Sequence, residues 1–165
     1  MKADALQERM AQFLTDNEIP AMASWPEGCR KGPDAAVVLV SLGKMECRSV
    51  GLQDYLGQRL DEDTGEVVEW YGRKATLEFA LDILSPVQVG AQACRKLLQQ
   101  LVEVLHSKRP EGLCVRRLTT KEVEFDQKEG LLRLGCTMCC EGWMWAAGEQ
   151  AADILEFTLR GDWNG

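Results

Sequence analysis

The chain has 165 residues, with 19 Lys and Arg against 26 Asp and Glu, a formal net charge of −7, one His and seven Cys. At 45% hydrophobic and 27% charged residues, the composition is that of a globular protein and excludes disordered and collagen-like chains. The length predicts one domain over 1–165, and the acidity argues against general nucleic-acid binding, which needs a surplus of Lys and Arg.

The amino-terminal part of the chain predicts one helix followed by an extended segment. Apolar residues recur at helical spacing over 1–17, at Leu6, Met10, Phe13 and Leu14. Pro20 ends this pattern, because the residue before a proline avoids the helical region. Residues 18–34 contain several Pro and Gly and little periodicity, which predicts a connector that Trp25 packs onto the core.

Residues 35–84 show strand patterns that include a hairpin. The apolar run 35–42 is typical of a strand buried on both faces, and Gly43 predicts a bend or bulge in it. An acidic turn over 61–65 separates two strand-like runs, which predicts a hairpin loop. Over 75–84, apolar and polar residues alternate, as expected for a strand with one face in the core.

A second helix and further strands complete the predicted α+β fold. We expect this helix over 85–107, with Ser85 as its N-cap, Pro86 at its first position and Gln88 completing a capping box. Alternating patterns predict strands over 113–160, and 161–165 form a polar tail. This order predicts a mostly antiparallel sheet with a protruding β-hairpin, packed against an amino-terminal helix and a long central helix.

Few side chains in the sequence are suited to catalysis. No nucleophile elbow, zinc-protease, phosphate-loop or dinucleotide-binding motif occurs in the chain. The only histidine, His106, lies near the end of the second predicted helix, where a cation suits the helix dipole. We therefore expect a protein that is not an enzyme and uses no cofactor.

The cysteines are spaced like buried thiols more than like a metal site. Cys136, Cys139 and Cys140 include one C-x-x-C, but a structural zinc site normally has a second pair. Positions 136 and 139 point to opposite faces of a strand, so the two thiols are not expected to share a metal. The first ten residues lack the apolar run of a secretion signal, and no run is long enough to cross a membrane. We expect free thiols in a reducing cytoplasm.

Tryptophans near the carboxyl end are candidates for contacts with other subunits. Trp is enriched at protein interfaces, where both its large surface and its N–H group find partners. Trp143 and Trp145 share one strand face, and either core packing or an interface accounts for them. The predicted interface residues are Trp143, Met144, Trp145, Asp162 and Trp163.

The order and size of these elements resemble a known family. The features are the amino-terminal helix, the Pro-rich connector, the long strand 35–50, the hairpin at 61–65, the strand 76–83 ending in Ser85-Pro86, the helix 87–106 and the closing strands. From about residue 1 to 160, this order resembles bacteriophage tail terminator (tail completion) proteins, including those of contractile tails and phage-like particles.

The resemblance implies an α+β subunit of a ring, with no active site. The ring, a hexamer, would cap the tail tube, stop its polymerisation and provide the platform for head joining. Its partners would be the tube protein, the sheath protein and head–tail connector proteins, in a particle assembled in the bacterial cytoplasm. The loop of Asp61, Glu62, Asp63 and Thr64 would face the lumen or the neighbouring ring. An acidic lumen would let DNA slide through without sticking.

Other functions remain open from the sequence. Within the same particle, the chain fits another neck, head-completion or baseplate protein. From other classes, a small cytoplasmic thiol or zinc protein that uses Cys136, Cys139 and Cys140 and a ligand-binding α+β domain are alternatives.

Overall fold

The structure is a computed structural model, which describes residues 3–24, 32–147 and 158–160. Its elements, in chain order, are α1 (Ala3–Asp16), β1 (Ala21–Met22), β2 (Val37–Ser49), β3 (Tyr55–Leu60), β4 (Val67–Pro86), α2 (Ala91–Ser107), β5 (Cys114–Asp126), β6 (Leu131–Ala147) and β7 (Thr158–Arg160). The strands of these residues form one sheet in the order β1-β2-β4-β6-β5, with β3 also paired to β4 and β7 to β6. Only β1 and β2 pair in parallel among them, which confirms the predicted α+β fold with a mostly antiparallel sheet.

The centre of the sheet is β4, whose alternating side chains build the core. Leu77, Phe79, Leu81 and Ile83 are completely buried, as their spacing predicts. They point to the face of the sheet that carries both helices, because side chains at every second position of a strand share a face. On the same face, β6 contributes its own alternating set of buried side chains: Leu134, Cys136, Met138 and Cys140.

Both helices pack on this one face through amphipathic stripes. The buried residues of α1 are Leu6, Met10, Ala11 and Leu14, and those of α2 are Cys94, Leu97 and Leu101. All of them belong to one apolar cluster with the inward side chains of β2, β4 and β6. Among the described residues, Val37, Leu84 and Leu131 form a small apolar cluster on the opposite face of the sheet.

The start of β2 is buried on both faces, as its apolar run predicts. Val38 and Val40 lie in the main core, whereas Val37 lies in the small cluster on the other face. The register of β2 against β4 shifts between Leu42 and Lys44, which confirms the predicted irregularity at Gly43. The backbone amide of Leu42 donates a hydrogen bond of 2.6 Å to Gln7 Oε1 of α1.

The predicted start of the second helix is wrong. The backbones of Ser85 and Pro86 continue β4 and pair with Leu132 and Leu131 of β6. The Ser85 side chain is fully buried, and α2 begins six residues later, with Gly90 as an N-cap that makes no side-chain hydrogen bond. Strand pairing and burial thus overrode the local capping signal of Ser85 and Pro86, because tertiary contacts outweigh a local helix preference.

The connector and the carboxyl end also differ from the prediction or lie outside the described residues. The connector over 18–34 contains β1, which pairs with Val38 and Leu39 of β2. Trp25 lies outside the described residues, as do most of the predicted last strand and the tail 161–165. The described part of that strand, β7, pairs with residues 143–145 of β6.

The alternation of β4 makes a direct prediction about stability. Phe79→Ala removes a fully buried ring and should lower the free energy of unfolding by about 3–5 kcal/mol. Glu78→Ala, the neighbouring position on the open face, is the matched control and should change it by about 0.5 kcal/mol or less. Urea unfolding followed by circular dichroism measures both, and equal losses in the two variants would contradict the assigned faces.

Candidate functional site

The end of the sheet that carries the β3–β4 hairpin extends well beyond the start of β5. The first residue of β5, Cys114, pairs with Glu141, which in turn pairs with Thr76 of β4. From Thr76, β4 continues nine residues to Val67, which is about 30 Å at the rise of a strand. We call residues 50–71, which include the hairpin and the turn that precedes β3, the arm.

The arm continues the β2–β4 pairing after a short interruption. Ser49 of β2 pairs with Arg73, and Tyr55 of β3 pairs with Tyr71. The five residues 50–54 between β2 and β3 therefore stand opposite the single residue Gly72 of β4. These five residues form a turn with left-handed backbone at Gln53 and Asp54, whose φ angles are 55° and 63°.

Two features hold this turn against the sheet. Arg73 donates to Asp54 Oδ2 at 2.7 Å, and hydrogen bonds from Ser49 and Arg73 lower the pKa of the Asp54 carboxyl. Gly51 leaves no room for a side chain, because a Cβ there would lie 2.6 Å from the carbonyl oxygen of Tyr55. The turn is therefore a defined structure on the edge of the sheet.

Side chains across the two strands stiffen the hairpin. The rings of Tyr55 and Tyr71 pack edge to face with 5.6 Å between their centres. The Tyr71 hydroxyl donates a 2.7 Å hydrogen bond to Glu69, which raises the pKa of Tyr71 and lowers that of Glu69. A cross-strand aromatic pair such as Tyr55–Tyr71 stabilises a two-stranded ribbon.

The tip of the hairpin is closed by hydrogen bonds centred on Asp61. The Asp61 amide donates to Glu66 O, and the Gly65 amide donates to Asp61 O, both at 2.8 Å. Asp61 Oδ1 accepts the amide of Asp63 at 2.9 Å, and hydrogen bonds from Asp63 and Thr64 lower the pKa of the Asp61 carboxyl. The predicted hairpin is confirmed, with Glu62, Asp63 and Thr64 exposed at its tip.

The arm exposes several large apolar side chains. Leu60 and Val67 pair directly across the hairpin, and they are 63% and 62% exposed. In the turn before β3, Leu52 is 88% exposed, and Val50 next to it is also exposed. Apolar side chains concentrated on one protruding element are typical of protein interaction sites.

The arm also carries most of the net charge of the protein. Residues 50–71 contain six acids and one base, a net charge of −5 out of −7. The open face of the sheet, in contrast, balances its charges in pairs. Glu141 there contacts Lys74 at 2.9 Å and Arg116 at 2.7 Å, and the hydrogen bond from Lys74 lowers the pKa of the Glu141 carboxyl.

The predicted Trp-containing surface is only partly brought together. Trp143 is half-buried on the open face, and its backbone pairs with Lys74 and Arg160. Met144 points into the core, where it is 6% exposed and its sulfur lies 3.4 Å from Cys47 Sγ. Its side chain is therefore not on a surface, in contrast to the expectation from sequence. Trp145 pairs through its backbone with Gly72, and Asp162 and Trp163 lie outside the described residues.

The strand splits the three neighbouring cysteines between its two faces. Cys136 and Cys140 are buried under the helices, and burial raises the pKa of each thiol to about 12. Cys139 is half-buried on the opposite face. Among residues 3–24, 32–147 and 158–160, no three His, Cys, Asp or Glu side chains are grouped so as to hold a metal ion. His106 is exposed in the last turn of α2.

Comparisons with known proteins return no family: no protein-family model matches the chain, and no curated protein matches it. In the part of the chain that the structure describes, neither helix has the length and apolar character needed to cross a bilayer.

The burial of the cysteines predicts their reactivity. With a pKa of about 12, only about one in ten thousand of the Cys136 and Cys140 thiols is ionised at pH 8, and the thiolate is the reactive form. Iodoacetamide should therefore modify the exposed Cys47 in the folded protein and reach Cys136 and Cys140 only in urea. Peptide mass spectrometry reads each site. Rapid native labelling of Cys136 or Cys140 would contradict this packing and favour a thiol function.

Proposed function

We propose that this chain is a structural subunit that assembles through its arm into a ring, and that the ring acts as the tail terminator of a phage or phage-like particle. The observation that carries the proposal is the protruding arm with exposed apolar side chains at its turn and tip. Covering Leu52, Leu60 and Val67 with a partner would remove apolar surface from water, which is the main driving force of protein association.

The charge of the arm favours a ring over a symmetric pair of arms. Two arms in contact would bring two net charges of −5 together, and such like-charge contacts oppose association. The arm is thus expected to contact a different surface of a neighbouring copy. Contacts between unlike surfaces generate a closed ring when the rotation from each copy to the next adds up to a full turn, and an open filament when it does not.

The edges of the sheet make direct strand addition an unfavourable alternative. On β2, the edge beyond β1 has the bulge at Gly43, and the charged side chains of Lys44, Glu46 and Arg48 follow it. On β5, the register shifts twice, between Val115 and Arg117 and between Thr120 and Val123. Bulges and charges on edge strands are devices that prevent pairing with other chains. Assembly through the arm remains the favoured mode.

The terminator role is the form of ring assembly that the resemblance in element order implies. In this role the ring, with six copies, caps the last ring of the tail tube and contacts tube, sheath and head–tail connector proteins.

The tail terminator role is tested with the tube protein encoded in the same genome. We expect that adding the purified chain during tube polymerisation shortens the tubes in proportion to its concentration and places a ring at one end in electron micrographs. Tubes of unchanged length, without terminal rings, would contradict the terminator role. A ring that forms alone but ignores the tube would retain assembly and favour another neck or baseplate position.

The exposed apolar pair at the tip gives the corresponding mutational prediction. Replacing Leu60 and Val67 together by Ser should weaken self-association about tenfold or more, because their burial at an interface is lost. The folded monomer should keep its urea midpoint, since both side chains are largely exposed.

The matched control for this variant is Phe125→Ser. Phe125 is 56% exposed but lies at the other end of the sheet, where it pairs with Leu132. Mass photometry over a concentration series measures the association of each variant. Equal effects of the tip variant and the Phe125 variant would contradict a specific role of the arm.

A further inference from the structure

We propose that the arm of one copy docks on the outer face of α2 of the next copy. This inference rests on the proposed ring assembly and specifies the two surfaces that meet in it. The arm presents exposed apolar side chains beside acidic ones. The partner surface must therefore combine exposed apolar area with positive charge.

Helix α2 and the residues after it form a basic part of the described chain. Residues 91–110 contain four bases and one acid, a net charge of +3. Residues 3–18, which contain α1, have a net charge of −3, and the bases and acids of β5 are equal in number. An acidic arm is thus attracted to α2 and repelled by α1.

The outer face of α2 provides both chemical features that the arm requires. Arg95, Gln99, Val102 and His106 follow one another at helical spacing and are all exposed, Val102 to 46%. Lys96 lies beside them. In the part of the chain that the structure describes, neither Arg95 nor Lys96 forms an ion pair, so both charges are available to a partner.

The contact must form between copies, because α2 and the tip lie at different ends of the same sheet. The chain leaves β4 for α2 at Pro86 and re-enters the sheet at Cys114, level with Thr76. The helix therefore covers the end away from the arm, and about 30 Å of strand separate Thr76 from Val67. An arm that reaches α2 of another copy makes a head-to-tail contact, which is the geometry of a ring.

Two other depressions in the described surface suit the arm less well. A cavity of about 280 Å³ lies between α1 and the start of β5, lined by apolar residues and by Arg9, Gln12, Asp16 and Glu111, of which Arg9 and Glu111 form an ion pair. A second, of about 400 Å³, lies on the open face, where Asp82, Asp126 and Glu129 surround Arg133 and Lys128. The acidic groups of both cavities repel the acidic arm. If the arm docked at either cavity, association would not respond to substitutions in α2.

The test reverses the charge of each surface separately and then together. The arm variant carries Glu62→Lys, Asp63→Lys and Glu66→Lys, and leaves Asp61, which closes the turn, in place. The helix variant carries Arg95→Glu and Lys96→Glu. We expect each variant to weaken association about tenfold or more, whereas the chain that carries all five changes should recover to within about threefold of the unmodified protein.

A matched control separates docking from the effect of net charge. Glu122→Lys, Glu124→Lys and Glu129→Lys reverse three exposed acids at the other end of the sheet and give the same net charge of −1 as the arm variant, since six charges are added to −7. This control should associate like the unmodified protein. An equal mixture of the arm and helix variants should form mixed assemblies. The basic arm of the first variant attracts the acidic helix of the second, and the acidic arm of the second attracts the basic helix of the first.

Light scattering and mass photometry distinguish the possible failures. If the unmodified protein stays monomeric, the proposed ring assembly itself is wrong. If it assembles but the arm and helix variants assemble equally well, or the five-change chain does not recover, only the docking on α2 is overturned. Assembly that stops at closed dimers would overturn the head-to-tail contact.

Discussion

The structure depends on one constraint: β4 is 20 residues long and is hydrogen-bonded on both sides, but the helices cover only part of it. Where α1 and α2 cover the sheet, the inward side chains of β4 are fully buried and form the core. At the base of the arm and within it, other contacts hold the strands, including the Asp54–Arg73 ion pair and the packing of Tyr55 on Tyr71. Among the described residues, none forms a layer over Leu60 and Val67 at the end of the arm, and we propose that a neighbouring copy covers them.

Much of the fold could be predicted because its signals are local and periodic. The alternation of β4 and β6, the bulge at Gly43 and the acidic turn of the hairpin all follow from side-chain spacing and turn chemistry. The start of α2 could not be predicted in this way. Ser85 and Pro86 carry a strong local capping signal, and only their pairing with β6 decides that they belong to the strand.

The candidate site was predictable only in part, for a related reason. The charge of the tip is visible in the sequence, since Asp61, Glu62 and Asp63 are consecutive. The exposure of Leu60 and Val67 is not, because an apolar residue in a strand pattern looks the same whether or not a helix covers it. Met144 shows the converse, since it lies between two candidate interface tryptophans but packs in the core. Which residues a second layer covers is a property of the tertiary structure.

We propose that the arm joins copies of this chain into a ring. Negative-stain electron microscopy of the purified chain under reducing conditions tests it most directly. We expect closed rings of more than two copies, with the arms at the contacts between neighbouring subunits. Uniform particles of single-chain size at all concentrations would contradict it.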